Sequence, residues 1–532
     1  MLATLVTAVV NGLRGELVRV EIDVAPGLPV CHIVGLPDAA LSEARERVRA
    51  AIRNSGFEYP NSRITVNLAP ADRRKRGAAY DLAIAVGILV ASGQIRRGGG
   101  SWALLGELSL SGAVQPVTGV LPMVVTLALS GHRRIGLPGA NVAEARLANL
   151  PGLELVGLEG LDDAARLIAG PRGRTAGRAQ RRPALAVTGT AQADVPGRPA
   201  APLAGALEPI DLAEVRSQRH ARWALEVALA GGHNLLLVGP PGAGKTLLGR
   251  AIPGLLPPLN EQEALEVTVI ESVAGLLDDL VAPRRRPFRA PHHTSSYAAL
   301  VGGGPQLLPG EVTLAHTGVL FLDELAEFDR NVLDALRQPL EEGSVSVARA
   351  HGRIRYPARF QLVAAMNPCR CGNFGSVEAA CRCPTGEPER YVGRISGPLL
   401  DRFDMRVEMT RVPPKELIGG PPAESSATIG TRIAAARAIA VARNGGRANA
   451  QLPGSATLAA CRLGRPAKSA LTDLARHGGL TARGVHRVAR VARSIADLDG
   501  RAAVEPRDLF AAARLRAPTA PPAASDASSR AA

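Results

Sequence analysis

The stretch HNLLLVGPPGAGKTLLGRAI, residues 233–252, constrains the fold of this chain more than any other part of it. An apolar run leads into a glycine-rich turn that matches G-x-x-x-x-G-K-[ST], and a helix-like run follows. In such turns the backbone N–H groups close around phosphate oxygens, and the N-terminus of the next helix favours negative charge. The turn therefore predicts a nucleotide-binding loop. Its residues are Gly239, Pro240, Pro241, Gly242, Ala243, Gly244, Lys245 and Thr246.

The end of this loop and a later strand supply the first candidate catalytic groups. Lys245 is expected to reach the β and γ phosphates of ATP, and the Thr246 hydroxyl is expected to bind Mg²⁺. Further along, GVLFLDELAEF is an apolar strand that ends at Asp323 and Glu324. Acids at this end of a strand, in a chain with a phosphate loop, predict that Asp323 holds the Mg²⁺ hydration shell and that Glu324 polarises the attacking water.

Three more polar residues are candidates for the same chemistry. Asn367 follows the apolar strand of FQLVAAMNPC and can orient the water against the γ-phosphate. Arg402, in GPLLDRFD, can reach the nucleotide of a neighbouring subunit in a ring, or it can simply pair with Asp401 or Asp404. Arg483, in the first turn of a helix that begins in LTARGVHRVAR, can cap the nucleotide or be one of that helix's surface arginines.

Together these motifs resemble those of the AAA+ ATPases, and more closely the magnesium-chelatase-like family among them. The longer matches are RPFRAPHHTSSYAALVGGGPQLLPGEVTLAHTGVLFLDEL, YPARFQLVAAMNPC and SGPLLDRFD, and the resemblance covers nearly the whole chain. It implies an ATP-hydrolysing motor that assembles as a homohexameric ring. A DNA helicase that drives branch migration during natural transformation belongs to this family. The resemblance therefore also implies single-stranded or branched DNA as a partner.

The segment SVSVARAHGRIRYPARF, residues 344–360, places basic residues at every second position around a glycine. In related AAA+ motors a β-hairpin at this place projects into the central pore of the ring. The resemblance therefore implies that Arg349, His351, Arg353 and Arg355 follow a DNA phosphate backbone without reading its sequence. The alternative is an ordinary surface hairpin whose arginines serve solubility.

A second basic segment, RRRPFRAPHHTSSYAAL, precedes the strand that ends at Asp323 and resembles an insert common in this branch of the family. The adjacent histidines His292 and His293 can in principle bind a metal, but no acid or cysteine lies near them in the sequence. Contact with DNA or packing between subunits is the role expected for the arginines of the segment, which are Arg284, Arg285, Arg286 and Arg289.

Two stretches near the start of the chain, VNLAPADRRKRGAAYDLAIAVGIL and LLGELSLSGAVQPVTGVLPM, resemble the proteolytic domain of Lon. That domain has the α+β fold shared with domain 2 of ribosomal protein S5. Its peptidase activity needs a serine nucleophile that a lysine activates. Alignment places Ala79 at the serine position and Leu121 at the lysine position. The domain is therefore expected to be non-proteolytic and to serve assembly or DNA handling.

Four of the six cysteines are clustered in CRCGNFGSVEAACRC as C-x-C, nine residues and C-x-C. Four thiolates could complete a tetrahedral structural zinc site, although C-x-C is tighter than the usual C-x₂₋₄-C spacing. The alternative is a set of free thiols in a reducing cytoplasm. The candidate ligands are Cys369, Cys371, Cys381 and Cys383.

The order of β-like and helix-like runs predicts the domain organisation and an α/β fold class. Residues 1–170 predict a Lon-protease-like α+β domain, and residues 171–203 a flexible basic linker. Residues 204–415 alternate strands and helices and predict an AAA+ P-loop core with a parallel sheet, which includes the cysteine cluster. Residues 416–515 predict a C-terminal helical lid domain, and residues 516–532 a disordered tail.

Charge and hydropathy limit the partners and the compartment. The net charge of +15 suits a polyanion, although nearly all of it comes from arginine, which also fits a GC-rich genome. No run approaches the ~18 apolar residues needed to cross a bilayer, and the N-terminus lacks the pattern of a signal peptide. A cytoplasmic protein that does not bind membranes is therefore expected.

Two function classes other than a DNA motor are open at this point. The motor subunit of a magnesium or cobalt chelatase shares the AAA+ core and remodels a partner protein, but such subunits usually lack a Lon-like front domain. An ATP-dependent protease would need the serine–lysine dyad, which is missing from this sequence.

Overall fold

The computed structural model describes residues 1–35, 39–70, 77–98, 100–170, 209–277, 284–304, 307–349, 352–376, 379–419 and 423–516. The chain divides into two compact units, one of residues 1–200 with 268–282 and the other of residues 201–267 with 283–532. The predicted linker lies outside the described residues, as does the predicted tail apart from Arg516.

The first unit is an α+β domain. Its strands are β1 (Leu2–Asn11), β2 (Arg14–Ala25), β3 (Val30–Val34), β4 (Arg63–Ala69), β5 (Ala103–Leu104), β6 (Glu107–Leu108), β7 (Val114–Gln115), β8 (Arg134–Pro138) and β9 (Glu154–Leu158). Its helices are α1 (Ala39–Asn54), α2 (Asp81–Ala91), α3 (Val120–Leu129), α4 (Val142–Arg146) and α5 (Leu161–Ala169). The main sheet has seven strands in the order β3-β4-β2-β1-β5-β8-β9. β2 pairs antiparallel with β1 and β4, and the other pairs are parallel.

Helix α2 is apolar on nearly every face. All eleven of its residues are buried. Gly87 lets the helix approach the sheet closely, because a Cβ there would lie 2.3 Å from Ile22 Cδ1. A helix that is enclosed on all sides needs apolar residues all round, which explains why this stretch lacks an amphipathic period.

The apolar interior includes the two positions that the sequence alignment assigns to the Lon dyad. Ala79 is 8% exposed and Leu121 is fully buried. Ala79 packs in one apolar cluster with Val120, the neighbour of Leu121. Neither of these two buried side chains can act as a nucleophile or a base, as the sequence analysis expects of a non-proteolytic domain.

The second unit contains the predicted ATPase core and the helices that follow it. Its strands are β10 (Leu235–Val238), β11 (Phe288–Arg289), β12 (Gly302–Gly303), β13 (Leu308–Pro309), β14 (Val319–Leu322), β15 (Ser344–Arg349), β16 (Gly352–Pro357), β17 (Gln361–Met366) and β18 (Met405–Glu408). Its helices are α6 (Arg219–Gly231), α7 (Lys245–Ala251), α8 (Glu261–Ala274), α9 (Tyr297–Val301), α10 (Glu311–Leu314), α11 (Arg330–Ala335), α12 (Arg337–Glu342), α13 (Glu387–Val392), α14 (Gly397–Leu400), α15 (Pro414–Gly419), α16 (Ser426–Arg443), α17 (Gly454–Cys461), α18 (Arg465–His477), α19 (Ala482–Leu498) and α20 (Pro506–Arg514). Residues 268–282, which include the second half of α8, belong to the first unit, a division that the sequence pattern did not indicate.

Among all the described residues, no helix is both long and apolar enough to cross a membrane.

The core of the second unit is a parallel five-stranded sheet with the order β11-β14-β17-β10-β18. Every residue of β10, β14 and β17 is buried, as is typical of parallel strands covered on both faces. Gly249 of α7 lies against the ring of Phe321 in β14, where a Cβ would approach to 2.3 Å. The helix after the phosphate loop is therefore seated directly on the sheet. This parallel sheet and the helical region after it confirm the predicted α/β fold class.

A buried ionic network specifies how the C-terminal helices pack. Arg443 of α16 donates to both carboxylate oxygens of Asp497 in α19, at 2.6 and 2.8 Å. Asn449 also donates to Asp497 at 2.8 Å. Arg493 is fully buried and donates to the carbonyl of Ala502 at 3.0 Å. Because a buried charge is tolerated only when it is paired and hydrogen-bonded, these contacts favour one arrangement of α16 against α19.

Asp81, the first residue of α2, is a fully buried carboxylate in the first unit. Arg47 donates to it at 2.8 and 3.3 Å. Burial raises the pKa of Asp81 from 3.8 to about 6, although Arg47 opposes the shift. The folded state therefore binds more protons than the unfolded state between these two values. As a result, the contribution of Asp81 to stability is greatest below pH 3.8 and falls as the pH rises through about 6.

We expect the substitution Asp81→Asn to remove this pH dependence. Protection of the α2 amides in the wild type should fall between about pH 4 and pH 6 by no more than about 3 kcal/mol, and the variant should lack this fall. Hydrogen exchange followed by mass spectrometry, corrected for intrinsic exchange rates, measures the difference. Asp23→Asn, an exposed substitution in the same unit, should keep the wild-type slope. Equal slopes in the wild type and Asp81→Asn would contradict the expectation.

Candidate functional site

Three neighbouring strands of the parallel sheet end beside the residues predicted to hydrolyse a nucleotide. The phosphate loop follows β10, Asp323 and Glu324 follow β14, and Asn367 follows β17. β17 pairs in parallel with both β10 and β14. Because parallel strands in register end at the same edge of a sheet, the fold brings these residues together.

The phosphate loop has the backbone shape that its glycines predict. Gly242 and Gly244 have φ angles of 78° and 89°, in the left-handed region that favours glycine. A Cβ on either residue would have no described atom within 4 Å, so the space beside them is open. Gly239 is needed for a different reason, because a Cβ there would lie 2.5 Å from the carbonyl oxygen of Met409. An open glycine-rich turn after a buried strand fits the phosphates of a nucleotide.

The side chain of Lys245 connects the phosphate loop with the end of β17. Its Nζ donates to the carbonyls of Gly239 at 2.6 Å and Pro240 at 2.9 Å, and to Asn367 Oδ1 at 3.1 Å. Burial lowers the pKa of Lys245, while the two carboxylates after β14 oppose that shift. The structure thus places two of the predicted catalytic residues, Lys245 and Asn367, in direct contact.

Thr246 and Asp323 make the second direct contact between predicted site residues. Thr246 Oγ1 donates to Asp323 Oδ2 at 2.6 Å, and the Glu324 amide donates to Asp323 Oδ1 at 2.9 Å. A hydroxyl and a carboxylate are the hard oxygen ligands that Mg²⁺ prefers, so these two residues fit the metal. When bound, Mg²⁺ neutralises charge on the phosphate oxygens.

Glu324 differs from Asp323 in both its backbone and its side chain. Its φ of 52° is left-handed, which is uncommon for a residue other than glycine. Its side chain is 57% exposed, and its Oε2 lies 3.2 Å from Nδ1 of His293. Sequence reasoning missed this contact, because His293 and Glu324 are far apart along the chain and no local motif joins them.

Arg402 lies in a cluster of guanidinium groups. Its ion pair is with Glu341 of α12, and not with either of the neighbouring aspartates that the sequence suggested. Burial lowers the pKa of Arg402, and the nearby charges of Arg487, Arg483 and Arg337 lower it further. Four positive groups therefore converge in one region, where their mutual repulsion favours the binding of an anion.

Arg483 belongs to this cluster. It lies in the first turn of α19, and Thr481 caps that helix by accepting a hydrogen bond from the Gly484 amide at 3.2 Å. Arg483 acts electrostatically on Arg402, whereas the charges that act on Lys245 come from the carboxylates after β14. The structure thus places Arg483 in one cluster of charges with Arg402. The catalytic roles of both arginines stay predictions.

Asp404 anchors the loop that carries Arg402, and no sequence signal pointed to this role. Its Oδ2 accepts from the Asn234 amide at 3.1 Å and lies 3.8 Å from Nδ1 of His233. Its Oδ1 lies 3.7 Å from Nε of Arg487. Burial would raise the pKa of Asp404, but these partners together lower it. Asp404 is therefore ionised, and it ties the loop both to the start of β10 and to α19.

Strands β15 and β16 form the predicted basic hairpin. One face of the hairpin is apolar and consists of Val345, Val347, Ile354 and Tyr356, while the opposite face carries Arg353 and Arg355, which are both exposed. Tyr356 is 1% exposed, and its hydroxyl donates to the carbonyl of Leu307. His351 and the side chain of Arg349 lie outside the described residues. The hairpin is therefore anchored through its apolar face and presents two predicted DNA-binding arginines on the other.

Two arginines of the segment before β14 are used inside the fold. Arg286 is 7% exposed in its side chain and pairs with Glu263 at 2.7 Å. Arg289 pairs with Glu311 at 2.6 Å. Both side chains are therefore engaged in ion pairs within the fold, whereas the first two arginines of the segment are exposed, and contact with DNA or packing between subunits stays a prediction.

The four clustered cysteines meet in space. Their sulfur atoms all lie within 4.8 Å of one another. Cys369 lies 3.5 Å from Cys371 and 3.8 Å from Cys381, and the last two are 3.6 Å apart. Hydrogen bonds from backbone amides, that of Asn373 foremost, lower the pKa of Cys371 to about 6. A thiolate is the form that binds metals, so the environment of Cys371 suits a metal site, whereas desolvation and hydrogen bonds between the thiols raise the pKa values of the other three cysteines.

Comparisons with known proteins agree with the geometry of the site. Residues 211–417 match the family model for the magnesium chelatase subunit ChlI. Residues 20–141 match a second model for subunit ChlI of Mg-chelatase, and residues 423–516 match the model for the C-terminal part of that subunit. These three matches together span most of both units.

Relatives that align with nearly the whole chain show which family it belongs to. The protein YifB of Escherichia coli is 41% identical over 493 residues, which are 92% of this chain and 92% of that protein. Competence protein ComM of Haemophilus influenzae is 39% identical over 491 residues, again 92% of each chain. The chain belongs to the magnesium chelatase-like family of YifB and ComM. It is an AAA+-type ATPase, and the phosphate loop, Thr246 and Asp323 fit its nucleotide and Mg²⁺.

A third relative is a Lon protease. Lon protease 2 of Bacillus subtilis is 29% identical over 161 residues, which are 28% of each chain. This match supports the Lon-like character that the sequence predicts. The sequence places Ala79 and Leu121 at the positions of the dyad, and neither can act as a nucleophile or a base, so a non-proteolytic front domain stays a prediction.

We expect Asn367→Ala to slow ATP hydrolysis without abolishing ATP binding. The substitution removes the partner of Lys245 and the polar group at the end of β17, so kcat should fall on the order of 100-fold while KM for ATP changes little. A steady-state phosphate-release assay measures both constants, with Lys245→Ala as the blank. Asn331→Ala, an exposed substitution in α11, should keep wild-type kcat. A kcat for Asn367→Ala near that of the wild type would contradict the expectation.

Proposed function

We propose that this protein is an ATP-driven motor that moves DNA, working as a homohexameric ring in the branch migration of recombining strands, as in natural transformation. The exposed arginine face of the β15–β16 hairpin carries the proposal. This hairpin leads directly into β17, and Asn367 follows the last residue of that strand. A conformational change at the nucleotide can thus pass through β17 to the arginine face of the hairpin, and that face is suited to a phosphate backbone.

The base of the hairpin is held firmly enough to transmit such a change. Arg359, between β16 and β17, pairs with Glu266 at 2.7 Å, and its amide donates to His316 Nδ1 at 3.0 Å. His316 Nε2 lies 2.9 Å from the same carboxylate. His316 is fully buried, and burial lowers its pKa. These three residues close a ring of contacts, so a shift of β17 should move the hairpin as a unit.

The chemistry of the exposed face fits a motor that moves along any sequence. Arg353 and Arg355 are anchored at their strand by contacts with the hydroxyls of Ser346 at 3.4 Å and Ser344 at 2.8 Å. Guanidinium groups that contact phosphates position a protein on DNA but carry no sequence information. Two arginines on one strand face can therefore follow a backbone, as a translocating motor requires.

The arginine cluster supports assembly of several copies into a ring. Arg402 is surrounded by Arg483, Arg487 and Arg337, and the ion pair with Glu341 offsets only part of this charge. The γ-phosphate in the loop of a neighbouring copy would be the anion that the cluster favours, and its transition-state charge would be stabilised there. Each copy would then complete the active site of the next, which closed cyclic symmetry allows.

The relatives support two candidate functions unequally. ComM is named a competence protein, which links that relative to competence. The 38 kDa magnesium-chelatase subunit of Chlorobaculum tepidum is 26% identical over 31% of this chain, so a chelatase-type motor that remodels a protein partner is the second candidate. The far longer match to ComM favours the DNA motor. Such a motor would work in the cytoplasm.

We expect single-stranded or forked DNA to stimulate the ATPase, and the double variant Arg353→Ala with Arg355→Ala to lose most of this stimulation. Each arginine that contacts a phosphate should contribute about 1 to the salt slope of DNA activation, so the double variant should have a shallower slope by about 2. ATPase rates measured against DNA concentration at several salt concentrations give both quantities, with Lys245→Ala as the blank.

A matched control separates the hairpin from general loss of charge. The double variant Arg465→Ala with Lys468→Ala removes two positive charges from the exposed face of α18 and should keep the wild-type response to DNA. An ATPase that ignores all forms of DNA at low salt would overturn the proposal. The search for a partner would then turn to proteins, as the chelatase-type candidate requires.

We also propose that the cysteine cluster, Cys369, Cys371, Cys381 and Cys383, holds a structural Zn²⁺. With Zn–S bonds of about 2.3 Å, the sulfurs of a tetrahedral site lie about 3.8 Å apart, close to the separations in the structure. The loop that carries the cluster packs on the phosphate loop, because a Cβ at Gly372 would lie 2.3 Å from Pro241 Cδ. Zinc would therefore stiffen a segment that supports the nucleotide site.

We expect the purified protein to contain about one zinc ion per chain, and Cys381→Ser to lose most of it because three ligands bind less tightly than four. Atomic emission spectroscopy measures the metal content, and thermal unfolding should show a lower midpoint in the variant. Cys31→Ser, outside the cluster, serves as the control and should retain the zinc. Protein that neither contains zinc nor binds it when zinc is added would contradict this proposal.

A further inference from the structure

His293 is the residue through which the loop between β11 and α9 reaches the catalytic carboxylate. Its Nδ1 lies 3.2 Å from Oε2 of Glu324, and its side chain is 30% exposed. The sequence offered no acid near the histidine pair, but the pairing of β11 with β14 brings the loop to the residue that follows β14. The contact between His293 and Glu324 therefore depends on the tertiary structure and not on the local sequence.

The imidazole of His293 packs against two other rings. Its ring lies 4.1 Å from the ring of His292 and 6.5 Å from Phe328, the latter in an edge-on arrangement. The preceding strand is anchored by Arg289, which donates to both carboxylate oxygens of Glu311 at 2.6 and 2.8 Å. A side chain whose ring is packed in this way can orient a more mobile partner.

Glu324 has the less restrained side chain of this pair. Its side chain is 57% exposed, and its left-handed backbone directs it away from the regular path of β14. Asp323, by contrast, is fixed by the Thr246 hydroxyl at 2.6 Å. A carboxylate that must accept a proton from the attacking water is effective only when its orientation is set in advance.

We propose that His293 is the positioning residue for Glu324 in ATP hydrolysis. Its Nδ1–H donates to Oε2 and leaves Oε1 free to accept the proton of the attacking water. The water oxygen bonds to the γ-phosphorus as the bond to the bridging oxygen breaks. His293 itself touches neither the water nor the nucleotide and acts only through Glu324. This assignment concerns the ATPase reaction and does not depend on DNA as the partner.

A metal site at the histidine pair is the competing interpretation, and the contacts disfavour it. Nδ1 of His292 lies 2.9 Å from the hydroxyl of Thr294, so that nitrogen has a partner of its own. Over the described ranges of the chain, the cysteine cluster is the group of three or more metal-ligand residues that comes together. His292, His293 and Glu324 do not form such a group.

Two amide substitutions of His293 distinguish positioning from a general structural role. The side-chain nitrogen of asparagine can take the place of Nδ1, whereas that of glutamine takes the place of the more distant Nε2. We expect His293→Ala to lower kcat by roughly 10- to 100-fold with KM for ATP little changed. His293→Asn should recover most of this loss, and His293→Gln should not. Steady-state ATP hydrolysis gives both constants, and nucleotide binding and thermal unfolding are measured beside it.

Two controls make the test decisive. His477→Ala removes an exposed imidazole from the end of α18 and should keep wild-type kcat. In the background of Glu324→Gln, His293→Ala should have no further effect, because a positioning residue cannot act without the group that it positions. The proposal is overturned if His293→Ala leaves kcat unchanged, if the asparagine and glutamine variants are equally impaired, or if His477→Ala causes the same loss.

Discussion

The parallel pairing of β17 with β10 and β14 is the constraint on which the rest of the second unit depends. Backbone hydrogen bonds fix its register, which places Val238 opposite Met366 at the ends of their strands. Residues that follow the strands must therefore meet at one edge of the sheet, where Lys245 contacts Asn367. Since all three strands are buried, a shift of register would move apolar side chains out of the core, so the edge is held in place by the burial of the whole sheet.

Three further parts of the unit are joined to that edge by short segments. The basic hairpin leads into β17, and the cysteine cluster begins just after Asn367 and contacts the phosphate loop through Gly372 and Pro241. The loop after β11 brings His293 to Glu324. Each part can therefore sense or restrain the nucleotide chemistry without a long chain of contacts. This proximity is the physical basis for the proposals that the hairpin, the cluster and the histidine each act together with one nucleotide site.

Much of the nucleotide site could be predicted because its residues belong to local patterns. The glycine turn, Lys245 and Thr246 form one continuous motif, and Asp323 was found because it ends an apolar strand. The partner of Arg402 could not be found in this way, since the choice among Glu341 and the adjacent aspartates depends on where α12 packs. Likewise, contacts with distant residues place 268–282 in the first unit, and such contacts leave no mark in the local sequence.

By itself, the sequence determined the buried strands, the phosphate loop and the side chains able to bind phosphate, Mg²⁺ or a metal that prefers sulfur, because these follow from local propensity and side-chain chemistry. Only the tertiary structure decided which groups these side chains meet. It paired Glu324 with His293, grouped Arg483 with Arg402, and brought four sulfurs together across the cysteine loop. The physical reason is that strand order and loop packing are set by pairing and burial between distant segments, and no single segment contains that information.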